Sequence, residues 1–178
     1  KWLFLRLIVK LTEQVTKDLE TKFLSELDKH QNIIHKVCRT YTNNDAAHKD
    51  LFQEITIQLW SAYPKFRGES KFSTWMYRVS FNTAISLYRK NKRNIETTPL
   101  IENKIDLEFS EYNDKQDKQL DLLYKAIHSL NDIEKALALM YLEDKSYEEI
   151  ALTLGITEIN ARVKMNRTKT KLKNILNP

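Results

Sequence analysis

The pattern that most restricts the fold of this chain lies at residues 146–172, SYEEIALTLGITEINARVKMNRTKTKL. Ser146 and Glu149 have the spacing of a capping box, in which the hydroxyl and the carboxylate each satisfy a free backbone N–H group of the first helical turn. Gly155 stands where that helix should end, because glycine adopts a left-handed conformation without steric cost. Thr157 is a suitable N-cap for a second helix. The stretch therefore predicts two short helices joined by a tight turn.

The second of these helices has one small or apolar stripe and one basic face. The stripe contains Ala161, Met165, Thr168 and Leu172 at helical spacing, and rotated away from it lie Arg162, Val163, Asn166, Arg167 and Lys169. A helix that enters the major groove of DNA needs an inward apolar side and outward Arg, Asn and Lys side chains. The pattern favours a DNA-binding helix-turn-helix over the alternative, an ordinary helical hairpin with a solvated basic face.

Turn-forming residues are scarce in the whole chain. Only 2 glycines and 3 prolines occur among 178 residues, too few for the glycine-rich loops that hold phosphate groups in nucleotide-binding proteins. Long segments without turn residues instead predict an all-α fold. The net charge of +5 is compatible with a polyanionic partner. A single cysteine excludes an internal disulfide and fits a reducing cytoplasm.

The first residues, KWLFLRLIVKL, are apolar but are interrupted by Arg6 and Lys10. About 20 residues are needed to span a bilayer, so this segment predicts no membrane insertion. A small-residue cleavage site does not follow it, which argues against a signal peptide.

Three helical segments occupy the first half of the chain. The first covers residues 12–40, as one helix or as two helices that meet near His30, and the second covers residues 45–63 and ends at Pro64. The third begins after residue 71 with Ser73 as its expected cap. His35 and Cys38 are three residues apart on the first helix, but nothing nearby completes a metal site, so we expect core packing there and no bound metal or cofactor.

The segment 94–117 differs from its surroundings, because it contains Pro99 and scattered acidic residues without a sustained period. We expect a flexible linker there. The predicted architecture is therefore two small helical domains, at residues 12–93 and 118–177, joined by this linker.

The loop at residues 63–72, YPKFRGESKF, alternates aromatic and basic side chains. Such a mixture suits single-stranded DNA, whose bases stack on rings while its phosphates meet cations. Phe72 and Trp75, at helical spacing, are better explained as core residues than as stacking platforms, and the basic helix end near Arg89 also complements the helix dipole. These alternatives stay open from the residues alone.

Two blocks of the sequence resemble the extracytoplasmic-function (ECF) sigma factors of the bacterial sigma-70 family. The block DLFQEITIQLWSAYPKFRGESKFSTWMYRVSFNTAISLYRK is similar to sigma region 2, a helical bundle. The block MYLEDKSYEEIALTLGITEINARVKMNRTKTKL is similar to the helix-turn-helix of sigma region 4. Ala161 and Thr168 depart from the usual valine and alanine of that motif. The resemblance implies a promoter-specificity subunit that binds core RNA polymerase, recognises the −35 and −10 promoter elements and helps to melt the −10 DNA.

The resemblance also implies the site residues. The side chains expected to contact the −35 element are Thr157, Asn160, Arg162, Val163, Lys164, Asn166, Arg167 and Lys169. Those expected to contact the −10 element are Lys65, Phe66, Arg67, Lys71, Arg78, Asn82 and Arg89. Those expected to bind polymerase are Asp50, Gln53 and Glu54. An anti-sigma factor is a further expected partner.

Two other classes of protein also contain a helix-turn-helix. A helix-turn-helix regulator that is not a polymerase subunit would leave the Gln53–Glu54 and FRGES blocks unexplained. A DNA recombinase would need a nucleophilic Ser or Tyr among clustered arginines on a mixed sheet, whereas the first half shows helical periods. We therefore expect no enzymatic activity.

Overall fold

A computed structural model describes residues 2–96 and 115–177 of the chain. It contains seven α-helices: α1 (Trp2–Tyr41), α2 (Asp45–Ala62), α3 (Phe72–Glu96), α4 (Lys115–His128), α5 (Asp132–Leu142), α6 (Tyr147–Leu154) and α7 (Glu158–Leu176). A short 3₁₀ turn, Tyr63–Lys65, follows α2. No strand occurs in these described ranges, and the all-α prediction is confirmed.

The first half of the molecule is built from α1, α2 and α3, which pack on one another around large apolar side chains. Buried members of this core include Ile34, Ile55, Leu59, Met76 and Phe81. The helix α1 is continuous through His30, so the alternative of two helices meeting there was wrong. Since the segment contains neither glycine nor proline, nothing in its backbone ends the helix earlier.

The N-terminal ends of α2 and α3 are formed in different ways, the first by a side-chain cap and the second by backbone hydrogen bonds. The side chain of Asn44 accepts a hydrogen bond from the N–H group of Ala47 at 2.8 Å and begins α2. Ser73 is not the cap of α3, because that helix already begins at Phe72. The N–H group of Trp75 donates to the carbonyl of Lys71 at 3.1 Å, so the first turn of α3 forms two residues earlier than a cap at Ser73 predicts.

The second half consists of α4 to α7. A capping box at Asn131 and Glu134 begins α5, and a second one at Ser146 and Glu149 begins α6. Gly155 has a φ of 66° and ends α6 in the left-handed conformation. These signals are local in sequence, and they give the helix-turn-helix its two ends.

The two halves are packed against each other, with α4 and α5 on α1 and α6 on α3. Buried side chains of both halves, such as Ile34 and Phe81 from the first and Leu137 and Met140 from the second, belong to one continuous apolar core. The helices α3 and α4 each extend three residues into the predicted linker 94–117, and its remaining residues lie outside the described ranges. The division into domains therefore stays a prediction.

Within the described residues, no helix is both long and apolar enough to cross a membrane.

Candidate nucleic-acid interface

The turn between α6 and α7 is held by side chains that satisfy the free backbone groups at the helix ends. The Ser146 hydroxyl accepts a hydrogen bond from the N–H group of Glu149 at 3.1 Å. The Thr157 hydroxyl accepts one from the N–H group of Asn160 at 3.2 Å and begins α7. Gly155 therefore ends α6 and Thr157 begins α7 at the turn, while Ser146 begins α6 at its other end, and the predicted pair of helices joined by a tight turn is confirmed.

One side of α7 is buried. Ala161, Met165 and Thr168 pack inward, and the Thr168 hydroxyl donates to the carbonyl of Lys164 at 3.0 Å. Because this hydroxyl has a partner, threonine is tolerated where the sigma motif usually has alanine. The predicted inward stripe is confirmed, with its fourth member Leu172 half-buried, and the opposite side of α7 is exposed.

The predicted −35 residues do not all have the same exposure. Most of them are exposed, namely Thr157, Asn160, Arg162, Val163, Asn166 and Arg167, whereas Lys164 and Lys169 are half-buried. Lys169 leans toward α5, where its Nζ lies 3.9 Å from the centre of the Tyr141 ring. A hydrogen bond with Tyr141 raises the pKa of Lys169, which keeps this side chain cationic. Lys169 therefore lies at the border of the outward face of α7 rather than at its centre.

Arg162 is positioned by two contacts within the helix-turn-helix. Its guanidinium donates to the carboxylate of Glu158 at 2.6 Å and 3.1 Å. The same group lies 4.6 Å from the centre of the Tyr147 ring on α6. These contacts hold the Arg162 cation beside the turn at the beginning of α7.

Ile159 occupies the outward face of α7 but is absent from the residues predicted from sequence. It is 77% exposed, the highest value among the large apolar side chains of the described chain. Its position four residues before Val163 and seven before Asn166 puts all three on one line of the helix. That spacing is the signal by which the sequence could have identified it.

The loop between α2 and α3 rests on a cluster of aromatic rings. The ring of Phe66 lies 5.0 Å from that of Trp75, and the ring of Phe72 lies 5.2 Å from it. Tyr63 connects this cluster to Phe23 of α1, with ring centres 5.2 Å apart. The aromatic side chains therefore pack on the core, which agrees with the interpretation of Phe72 and Trp75 as core residues. These ring contacts hold the loop against α1 and α3.

The basic side chains of the same loop point away from these rings. Lys65, Arg67 and Lys71 are exposed, and Arg67 contacts Glu69 only at 3.9 Å. An exposed pair at this distance contributes little stability, about 0–1 kcal/mol. The loop thus has its aromatic side chains packed on the core and its basic side chains exposed to solvent.

The remaining predicted −10 residues lie on α3 in different surroundings. Arg78 lines a cavity of about 210 Å³ together with Trp75 and, from α6, Leu152 and Thr153. Asn82 is exposed one turn later and lines a separate cleft of about 320 Å³ with Glu54 and Gln58 of α2. The structure therefore does not place Asn82 in the same cavity as Arg78.

Arg89, at the far end of α3, is engaged with the second half of the molecule. Its Nε donates to a carboxylate oxygen of Asp132 at 3.1 Å. The guanidinium of Arg89 is therefore paired with a carboxylate of α5, unlike the exposed loop cations Lys65 and Lys71.

The predicted polymerase-binding residues lie on the outer side of α2. Asp50 and Gln53 are exposed, and Glu54 is half-buried and accepts a hydrogen bond from Gln58 at 2.9 Å. Asp50 and Glu54 also line a cleft of about 570 Å³ between α2 and the end of α3. The face is acidic and partly concave.

The two residues considered for a metal site do not share one surface. Cys38 is buried in the core, where desolvation raises the pKa of its thiol to about 12, while His35 is exposed. His35 instead contacts His48 of α2, with Nδ1 and Nε2 of the two rings 3.0 Å apart. Among the described residues, no three His, Cys, Asp or Glu side chains are grouped as metal ligands.

Comparison with known proteins places both halves of the chain in one family. The model of sigma-70 region 2 matches residues 27–94, and the model of sigma-70 region 4 matches residues 120–172. The chain is 27% identical to the ECF RNA polymerase sigma-E factor of Haemophilus influenzae over 180 aligned positions, covering 94% of each chain. It is 25% identical to that of Escherichia coli, covering 94% of this chain and 93% of the relative.

Solved structures share the fold. The sigma factor RpoE of Bartonella quintana, in complex with the anti-sigma factor NepR, superposes with a TM-score of 0.73 at 18% identity, covering 87% of this chain and 96% of RpoE. CnrH, in complex with the cytosolic domain of CnrY, superposes with a TM-score of 0.64 at 16% identity, covering 88% of each chain. The chain belongs to the sigma-70 family. Within that family it is an extracytoplasmic-function sigma factor.

Proposed function

We infer that this chain is a promoter-specificity subunit of bacterial RNA polymerase, which binds the core enzyme, recognises the −35 and −10 elements and helps to open the DNA. The observation that supports this most is the match of region 2 and region 4 models, in that order, to the two halves of one helical chain. A subunit of this kind has no catalysis of its own and works in the cytoplasm, where the polymerase meets the chromosome.

The −35 element is proposed to bind α7. Its inward side is buried, and its exposed side presents Arg162, Asn166 and Arg167. Arginine can form paired hydrogen bonds with guanine, and asparagine can do so with adenine, in the major groove. The half-buried Lys164 and Lys169 flank this face and suit phosphate contacts, which position the helix without specifying the sequence.

The −10 element is proposed to bind the loop between α2 and α3 and the exposed side of α3. Strand opening leaves bases unstacked, and a protein that holds an extruded base must offset a few kcal/mol of unstacking energy. The amide of Asn82 can donate and accept hydrogen bonds at once, which suits the edge of such a base. Lys65, Arg67 and Lys71 supply cations for the backbone of the opened strand.

Core RNA polymerase is proposed to bind the outer face of α2 at Asp50, Gln53 and Glu54. Two of these residues line the cleft of about 570 Å³, which gives the face a concave border suited to a partner helix. The acidic charges predict a partner surface with basic residues.

An anti-sigma factor is a further proposed partner. RpoE of Bartonella quintana and CnrH, which share this fold, were each solved in complex with an anti-sigma factor or the cytosolic domain of a partner. The alternative of a regulator that acts without polymerase has no comparable support, because it leaves the region 2 match without a role.

Sequencing of RNA 5′ ends after overexpression of the chain tests the proposed function. New start sites should share two upstream DNA motifs at fixed distances, one near −35 and one near −10. New start sites that share no upstream motifs would contradict the proposal. Altered transcript levels without any new start site would also contradict it and would favour an ordinary regulator.

A further inference from the structure

The outward line of α7 begins with an apolar pair. Ile159 is 77% exposed and Val163 is 44% exposed, and they lie one turn apart at the beginning of the helix. Single exposed apolar residues are common on protein surfaces and need no explanation. The position of this pair matters because the first turns of a recognition helix are the part that contacts base edges.

Ile159 has no evident role in the stability of the helix-turn-helix. Thr157 is the N-cap of α7, and the apolar contact that fixes a helix entry uses the residues before the cap and in the second turn, here Ile156 and Ala161. Ile159 lies between them and points outward, with more than three quarters of its surface in solvent. Replacing it with alanine should therefore leave the fold intact.

The neighbours of the pair indicate what covers it. Arg162 is held beside Ile159 by Glu158 and by the Tyr147 ring, and Arg167 is exposed on the other side of the line. An apolar line between two arginines fits the floor of the major groove, where each base pair presents hydrogen-bonding groups and thymine also presents an apolar group. The C5-methyl group of thymine is the one apolar group that this groove presents.

We propose that Ile159, together with Val163, contacts thymine methyl groups in the −35 element and thereby selects thymine at those positions. This inference rests on the proposed function and adds a specificity determinant to it. Cytosine lacks the methyl group and cannot make the contact, so the pair discriminates against it without any hydrogen bond.

The test uses the full chain assembled with core polymerase and a duplex pool randomised at the −35 element. Each thymine of the selected sequence is then replaced by deoxyuridine, which removes one methyl group and changes no hydrogen-bonding group. At one or more positions, affinity should fall roughly fourfold, the factor expected from burial of one methyl group. The same replacement should have no effect on Ile159→Ala or on Val163→Ala at the position that each residue contacts.

Ile175→Ala is the matched control, because Ile175 is 45% exposed on the same helix but lies near its other end. This variant should retain the full deoxyuridine effect. A selected −35 sequence that is insensitive to deoxyuridine, or equally sensitive in wild type, Ile159→Ala and Val163→Ala, would overturn the inference alone. Failure to select any −35 sequence would overturn the proposed function as well.

Discussion

Arg89 of α3 donates a hydrogen bond to the carboxylate of Asp132 on α5 at 3.1 Å, although the two residues are 43 positions apart in the sequence. The Tyr41 hydroxyl donates to the backbone carbonyl of Asp132 at 2.6 Å. Two further ion pairs connect the halves, Lys36 with Glu143 at 2.5 Å and Arg39 with Asp121 at 3.1 Å. A residue predicted to contact −10 DNA is therefore bound to the half that carries the helix-turn-helix.

This contact predicts how the molecule behaves when it is cut. Limited proteolysis should cleave within residues 94–117 and leave two fragments that still elute together at low salt. They should remain together because they share the apolar core and the ion pairs. Gel filtration of the cleaved protein measures this association.

Glu143→Lys should make the two fragments separate more readily, because it places a lysine against Lys36. Glu148→Lys has the same charge change at an exposed position of α6 and is the control. Fragments that separate at low salt in the wild type would contradict the packing of the halves. Resistance of the 94–117 segment to cleavage would contradict its assignment as a flexible linker.

The free energy of unfolding should also fall in acid, because of His128 at the end of α4. Burial lowers the pKa of His128 to about 4, and the nearby cations Lys135 and Arg39 act in the same direction. The folded chain thus binds fewer protons than the unfolded chain between the ordinary pKa of about 6.5 and the lowered one. Above the ordinary histidine pKa of about 6.5, the neutral His128 side chain makes its full contribution to the free energy of unfolding. That contribution is lost as the pH falls from about 6.5 toward the lowered pKa of about 4.

Urea unfolding at pH 7.5 and pH 5 measures this effect. We expect His128 to lower the free energy of unfolding at pH 5, relative to pH 7.5, by on the order of 1–2 kcal/mol. Partial exposure of the side chain keeps this effect small, because solvent screens the charge. His128→Gln should remove that part of the difference. The charges that face this region are Lys135 and Arg39, with Asp121 paired to Arg39 and Asp132 near Lys135. An unchanged pH dependence in His128→Gln would contradict the assignment.

Local features were the part of this fold that the sequence could predict. The ends of α6 and the start of α7 depend on Ser146, Glu149, Gly155 and Thr157, which act on backbone groups within a few residues. Ser73 failed as a cap because a helix can begin from backbone hydrogen bonds alone, one residue before a suitable side chain.

Contacts between the halves could not be predicted in this way. Lys36 and Glu143 are 107 positions apart, and neither has a local pattern that identifies its partner. The half-buried state of Lys169 similarly depends on Tyr141 of another helix. Periodicity assigns a side chain to a face of its own helix, but the neighbour of that face is a property of the tertiary structure.

Substitution of Gln53 and Glu54 on the acidic face of α2 should remove binding to core RNA polymerase. Gln53→Ala combined with Glu54→Lys should abolish co-purification with core RNA polymerase while the melting temperature stays nearly unchanged, because both side chains lie outside the core. Glu20→Lys, an equal charge change at an exposed position of α1, is the control and should still co-purify. Wild-type amounts of holoenzyme from the double variant would refute the docking role.

Asn82 predicts a defect in strand opening. Asn82→Ala should lower open-complex formation on duplex promoter DNA and leave −35 binding intact, because Asn82 is exposed on α3 and lies outside α7. Polymerase association should also persist, because the substitution leaves Glu54 and its hydrogen bond from Gln58 in place. Permanganate reactivity of thymines near −10 measures the opening. Wild-type opening of fully paired duplex by this variant would show that Asn82 does not hold the extruded base.

Transcription reconstituted from core RNA polymerase, this chain and a linear, fully paired promoter taken from the mapped start sites tests directly whether the chain confers promoter specificity. We predict transcripts from the mapped start when the chain is added, none from core enzyme alone, and loss of that product when either promoter element is scrambled. Equal transcription with and without the chain, or product that survives scrambling of both elements, would contradict its role as a promoter-specificity subunit.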